Sequence, residues 1–345
     1  MNTASDIDDS GSAPAVSKAV LVLPRLRIQN ANAISSPLTW GFPAVSAFTG
    51  LITALERRLG PDAGIALYGV GVVCHGHEAQ VTQGGYTRAF MLTRNPVLAD
   101  GSTAGIVEEG RIHLDLTLVL DVEIEARLIG DVERQTLAER VAQELAGMRL
   151  AGGSVMPALP TERRRPDRPT LELVPSEAED QRQQFRRLAR RWLPGFALVS
   201  RDDLLRNRLR ELQAETPEAT ALDAWLDLSR WNHRSVLQPA AKEGDAPTTV
   251  WETDRRAGWI VPIPVGYAAL TDLHPAGTVA GARDMQTPFR FVESVWSVGQ
   301  WIGPQRLRNL DDLYWLADHD TETGLYRCRN GYAARSTSAS TATEN

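Results

Sequence analysis

Arg25, Arg27 and Gln29 stand at every second position of a short run, with Leu26 and Ile28 between them. Side chains alternate across a strand, so this spacing puts two guanidiniums and an amide on one face and the aliphatic pair on the other. Asn30, Asn32, Ser35, Ser36, Thr39 and Trp40 follow, a loop of hydrogen-bonding groups that ends in an indole ring. Arginine forks match phosphate oxygens, amides pair with base edges, and aromatic rings stack on unpaired bases. This inventory suits a nucleic-acid strand better than a small metabolite.

Other chemistry is thinner. Cys74, His75 and His77 form a CHxH cluster with no second ligand pair at suitable spacing, so a polar strand end is the plainer reading and no metal or cofactor is expected. A ribonuclease using His75, His77 or His113 as general acid or base is a fairer rival, because such cleavage needs no metal. GxSxG, a Walker loop, HExxH and GxGxxG are all absent. A second basic cluster lies downstream. Arg182, Arg186 and Arg190 are spaced by four with Arg187 and Arg191 beside them, and Phe185, Leu188 and Trp192 supply an apolar side, which predicts a helix with one arginine-covered face.

The elements that position these groups follow from pattern. Ala19 to Leu23 reads as a strand that continues past Pro24. Val45, Phe48, Ile52, Leu55 and Leu59 recur at helical spacing, with Pro43 ahead, Arg57 and Arg58 in the last turn and Gly60-Pro61 as the stop. Leu67 to Cys74 is a strand whose Gly69 and Gly71 admit close packing. Gly84-Gly85 marks the turn of a projecting hairpin that carries Arg88 and Arg94. Arg111 to Leu120 alternates strictly, with Arg111, His113, Asp115 and Thr117 outward, and a helix over Asp131 to Arg149 ends at Gly152-Gly153. The order is βαββα, and the sixth element of a βαββαβ unit is either Ser154 to Leu159 or Phe196 to Ser200. Further on, Pro157 to Pro175 reads as a linker, 200–230 as helical and 231–256 as a loop. The two prolines of Gly258 to Tyr267 predict an edge segment, and Phe289 to Ser297 reads as a strand.

Composition sets bounds. With 345 residues, 43% of them hydrophobic, the chain buries a sizeable core in one large or two modest domains. A net charge of -6 excludes a uniformly basic nucleic-acid coat but allows a local basic face. Of 37 basic residues only Lys18 and Lys242 are lysine. Two cysteines are too few for a disulfide framework, and no stretch approaches a membrane span, so the expected location is cytoplasmic. Residues 1–17 read as a disordered leader and 336–345 as a disordered tail.

Six segments, LPRLRIQNANAISSPLTWGFP, LTRNP, DGST with IVEEGR, MRLAGGS, LPGFALVSR and GWIVPIPVGY, together resemble the second-subunit family of the Csy complex, the type I-F CRISPR surveillance assembly. These are Cas-five-type members of the RAMP superfamily. The likeness runs from about Leu21 to Tyr326 and is weaker over 161–180, 232–256 and the tails. It implies an α+β fold: a ferredoxin-like (RRM-like) RAMP domain over 18–160 with an inserted thumb hairpin at about 75–105, and a mixed C-terminal extension over 161–335. It implies a noncatalytic protein that binds the 5′ handle of crRNA. The implied partners are the large subunit, the backbone subunit and, indirectly, target DNA, with no membrane contact. Residue chemistry then nominates Arg25, Arg27, Gln29, Asn30, Asn32, Ser35, Ser36 and Trp40 as the RNA-reading surface. Arg88, Arg94, Arg111 and Arg149 are further phosphate contacts. The Gly152-Gly153 turn is similar to the glycine loop by which such proteins approach RNA, although the full GxGxxxxxGxG form is absent. The Arg182 to Arg191 helix is left to nucleic acid or a protein partner. A RAMP-type endoribonuclease acting on repeat RNA is the alternative.

Overall fold

The computed structural model describes residues 16–94, 97, 100–103, 106–157, 168–238, 248–254, 256, 258–282 and 284–333. Residues 1–15 of the expected leader, the whole expected tail, most of the Pro- and Arg-rich stretch and the Arg94 side chain lie outside that description.

The principal elements are β1 (Val16–Asn32), α1 (Val45–Leu59), β2 (Ile65–Ala79), β3 (Arg111–Glu125), α2 (Asp131–Ala146), β4 (Gly153–Met156), β5 (Thr170–Leu173), α3 (Ala178–Arg191), β6 (Phe196–Ser200), α4 (Asp202–Glu215), α5 (Ala221–Ser229), β7 (Trp259–Ala269), β8 (Val292–Ile302), β9 (Trp315–Asp320) and β10 (Leu325–Asn330). The fold is α+β, built on one antiparallel sheet of eleven strands in the order β4-β1-β3-β2-β6-β8-β7-β10-β9, with Arg149–Leu150 outside β4 and β5 alongside the first half of β1. Both candidate sixth elements join this sheet, β4 on β1 and β6 on β2. Strand β9 returns to pair Trp315 and Leu316 with Val70 and Gly69, so β2, β6, β8, β7, β10 and β9 close a ring.

The apolar run of β1 is buried on both faces, as a continuous rather than alternating pattern requires. Leu21 and Leu23 pack with Phe48, Ile52 and Leu55 of α1 and Leu137 and Val141 of α2. Val20 and Val22 point the other way and meet Phe185 and Leu188 of α3 and Trp192 just past its end, together with Val73 and Val119. Helix α1 is closed by Gly60, at φ 79, whose N–H returns to the Glu56 carbonyl at 3.1 Å.

Several segments differ from their sequence reading. The linker contains β5, because β4 covers only Arg27 to Gln29 and leaves the Ala19 to Val22 edge of β1 free for Thr170 to Leu173. The expected loop at 231–256 holds a two-stranded ribbon, His233–Gln238 on Thr248–Thr253. Segment 258–267 is a strand with two neighbours rather than one. Pro262 and Pro264 pair only with β8, and β10 joins past the bulge, at Gly266 to Ala268, where every residue has an N–H to donate. Between β2 and β3 the chain makes the ribbons Val81–Gly84 on Thr87–Phe90 and Leu92–Arg94 on Ile106–Glu108.

Candidate nucleic-acid interface

Helix α3 covers only the first half of its face of the sheet. Beyond Val22 the same face is polar. Arg27 lies opposite Met156 on one side and Asp115 on the other, and Ser154 lies opposite both Gln29 and Arg149. Residues paired across a ladder share a face, so Arg149, Ser154, Gln29, Met156, Arg27 and Asp115 form one polar patch. Arg27, Gln29, Ser154 and Arg149 are exposed, while Ile28, Leu114 and Leu116 are buried beneath.

Two register shifts in β1, between Leu23 and Leu26 and between Ile28 and Ala31, aim this patch. Arg25 sits in the first at φ 52 and Asn30 in the second at φ 58. Among the described residues only one other non-glycine has positive φ, Ala151 at 48, and its carbonyl accepts the Asn32 N–H at 2.8 Å. Such conformations cost on the order of 1 kcal/mol or more each and persist where surrounding contacts over-determine them. All three stand at the same corner of the sheet. The bulge at Arg25 lets its N–H donate to Thr117 Oγ1 at 3.3 Å and its guanidinium to Asp115 Oδ2 at 3.1 Å. The bulge at Asn30 lets its N–H donate to His113 Nδ1 at 3.1 Å. Arg25 is therefore half neutralised and half buried, whereas Arg27 pairs with no carboxylate among the described residues and carries the open charge.

The loop after β1 is ordered by its own hydroxyls and amides. Asn32 closes a turn, Nδ2 donating to the Ile34 carbonyl at 2.8 Å and Oδ1 accepting the Ile34 N–H at 3.0 Å. Ser35 and Thr39 are joined at 2.8 Å. Ser36 is buried, 2.7 Å from Thr39 Oγ1 and accepting from Trp296 Nε1 at 2.9 Å, so its hydroxyl is used inside the protein, against the expectation that placed it on an exposed surface. Trp40 is 51% exposed, with Phe90 of the projecting ribbon edge-on at 5.6 Å.

Two hollows meet at Ser35. One, of about 470 Å³, is lined by Asn32, Ser35, Ala151, Tyr267, Tyr326 and the first turn of α1. That turn has no side-chain cap and no acidic residue, and although the Ala47 N–H donates to the Ala44 carbonyl at 2.9 Å, it borders the hollow as an electropositive helix end. The other, of about 400 Å³, is aromatic: Trp40, Phe42, Phe196, Trp259 and Trp301 line it with His75 and His77.

The remaining nominees differ in their surroundings. Arg111 is held by Glu109 at 2.8 Å, and Arg149 reaches the Gly152 carbonyl at 3.4 Å. Arg88 is exposed on the ribbon Thr87–Phe90. Gly152, at φ 78, is open, but a Cβ on Gly153 would lie 2.7 Å from the Ala31 nitrogen and 2.8 Å from the Gln29 oxygen. The missing side chain at Gly153 thus serves the contact of β4 with β1. Arg182 and Arg186 share Glu179, Arg187 binds Glu172, and all lie on the outer side of α3, apart from the Arg25 to Trp40 group.

Two of the three candidate histidines are engaged. His75 Nε2 lies 2.7 Å from Thr117 Oγ1 and Nδ1 2.8 Å from the Pro194 carbonyl, while His113 accepts from Asn30. Burial pushes the Cys74 thiol up to about 11. No group of three His, Cys, Asp or Glu side chains able to hold a metal occurs among the described residues, and no helix there is long and apolar enough to cross a membrane. Sequence reasoning passed over Asp115, Thr117 and Ser154 as site residues, although the alternation of Arg111 to Leu120 already set the first two outward. Tyr267 and Tyr326 carry no local signal, since only folding brings them to Asn32.

Two comparisons bear on this arrangement. The family model described as CRISPR-associated protein (Cas_Csy2) matches residues 21–328. The chain is similar to the CRISPR-associated protein Csy2 of Pseudomonas aeruginosa (strain UCBPP-PA14), 49% identical over 312 residues, which cover 90% of this chain and 94% of that protein.

Proposed function

We propose, from the premise that this chain belongs to the Csy2 family of CRISPR-associated proteins and is a Csy complex subunit, that it is the noncatalytic RNA-binding subunit that holds the 5′ handle of crRNA in a type I-F surveillance complex. It works in the cytoplasm and caps the assembly beside the large subunit and the backbone subunit. The observation that carries this reading is the corner at which Arg25, Asn30 and Ala151 take left-handed backbone conformations, next to the exposed Arg27 and Gln29. The spatial order β4-β1-β3-β2, all antiparallel, with α1 and α2 on one face, supports a ferredoxin-like RAMP unit, whose open sheet face is a natural RNA platform. Phosphates meet Arg27, Arg149 and the first turn of α1. Unstacked bases meet Gln29, Ser35 and the ring of Trp40.

The endoribonuclease reading is the weaker one. Both ring nitrogens of His75 and Nδ1 of His113 are already within hydrogen-bond distance of protein groups, which leaves the exposed His77 as the histidine on which such chemistry would have to rest. The test is titration of a labelled handle RNA with the full chain from 50 to 200 mM salt. Arg27→Ala is expected to weaken binding about tenfold and to flatten the salt slope by about one unit. Unchanged affinity and slope would remove the sheet face from the RNA site, and cleavage of repeat RNA that stops on His77→Ala would favour the enzyme.

A further inference from the structure

We infer that the outer face of α3 is a separate docking surface for the phosphate backbone of duplex DNA, distinct from the RNA corner on β1. Arg182, Arg186 and Arg190 stand one turn apart, about 6 Å along the axis at 1.5 Å per residue, and Arg191 flanks them. Arg182 and Arg186 are 58% and 65% exposed and share one carboxylate, Glu179, at 2.8 and 4.0 Å. Arg190 and Arg191 pair with no carboxylate among the described residues. Like charges at this spacing repel unless something neutralises them. Glu179 and Asp180 sit in the first turn, so the second half of the helix is left with uncompensated charge.

The surroundings say what kind of anion fits. The inner side of α3 is fully used, with Phe185, Leu188 and Ala189, and Trp192 just past its end, buried against the sheet. The outer side borders an open hollow of about 670 Å³, lined by Pro175, Asp180, Gln183, Gln184, Arg186, Arg187 and Arg190. None of these is aromatic. Single strands are held by rings on which bases stack, and the β1 corner has them in Trp40 and the neighbouring aromatic hollow. A straight row of guanidiniums without rings reads phosphates alone, and a duplex is the nucleic acid that presents an outward row of phosphates with its bases turned in. Gln183 adds a neutral donor for the same oxygens.

The experiment uses the full chain and a labelled 30-bp DNA duplex of arbitrary sequence, titrated by fluorescence anisotropy between 50 and 200 mM salt. A labelled handle RNA is run in parallel. Arg186→Gln/Arg190→Gln/Arg191→Gln is expected to lose about tenfold or more in duplex affinity and to flatten the salt slope by up to about three units, while RNA binding is retained. The matching Lys triple variant is expected to recover most of the duplex affinity. A control of equal charge, Arg57→Gln/Arg206→Gln/Arg306→Gln, is expected to stay within about twofold of the parent. Equal losses in the Gln variant and the control overturn the inference, as does failure of the parent chain to bind duplex. Unchanged duplex binding with loss of a co-purifying subunit overturns it in favour of a protein interface. Because RNA and DNA are read separately, failure of the RNA reading leaves this result intact, and the reverse also holds.

Discussion

Arg25 and Arg27 are two residues apart and carry the same charge, yet the fold gives them different work. Arg25 is tied to Asp115 and Thr117 within a bulge, and Arg27 is exposed with no ion pair among the described residues. Arg27→Ala is therefore expected to cost RNA affinity with little change in stability. Arg25→Ala should lower the melting temperature as well, because Asp115 loses its partner; equal thermal shifts in the two variants would contradict this. Gly153→Ala is expected to destabilise by about 1–3 kcal/mol in a denaturant titration, since its Cβ would meet the backbone of β1, which cannot give way. Cys74 shows the chemistry of burial. Its thiol stays protonated at neutral pH, so alkylation at pH 8 should be far slower than in urea, and rapid native labelling would count against the buried placement. The sign for stability follows: the contribution is full below the ordinary thiol value of 9.0 and is lost as pH rises towards about 11.

At the scale of elements, α3 decides which part of the sheet face is core and which stays open. Its Leu188 is fully buried on Val20, Val22 and Val73. Leu188→Ala is expected to cost about 2–5 kcal/mol by denaturant unfolding, and a loss below about 1 kcal/mol would mean that the helix is not seated there. The apolar spacing of α1 and α3 was legible without coordinates, because a 3.6-residue period needs only local sequence. The ribbon at 233–253 and the strand β5 were not. Both are short, polar segments whose pairing is chosen by a free edge elsewhere in the fold.

At the scale of the molecule, the second edge of β2 is shared between β6 at Val73 and Cys74 and β9 at Gly69 and Val70. The C-terminal half thus seals the sheet of the N-terminal half. Gly71 shows how tightly: a Cβ there would come within 2.3 Å of the Leu313 side chain. Residues 16–175 expressed alone should leave that edge open and run as aggregates in size-exclusion chromatography, whereas the full chain is expected to elute as a discrete species. A monomeric fragment with cooperative unfolding would refute the dependence.

The sequence by itself determined the α+β class, the strand and helix order of the first 150 residues, and the facing of Arg27, Gln29, His113 and Asp115, because alternation and helical period are local properties of the chain. It also carried the family likeness in its quoted segments. Only the tertiary structure decided that Ser36 is buried, that Arg25 is paired, and that Tyr267 and Tyr326 close the hollow beside Asn32. It also decided that both candidate sixth strands lie in one sheet. These outcomes depend on which edge or face is left unfilled after the rest has packed, and contacts across more than two hundred residues leave no periodic trace in the sequence.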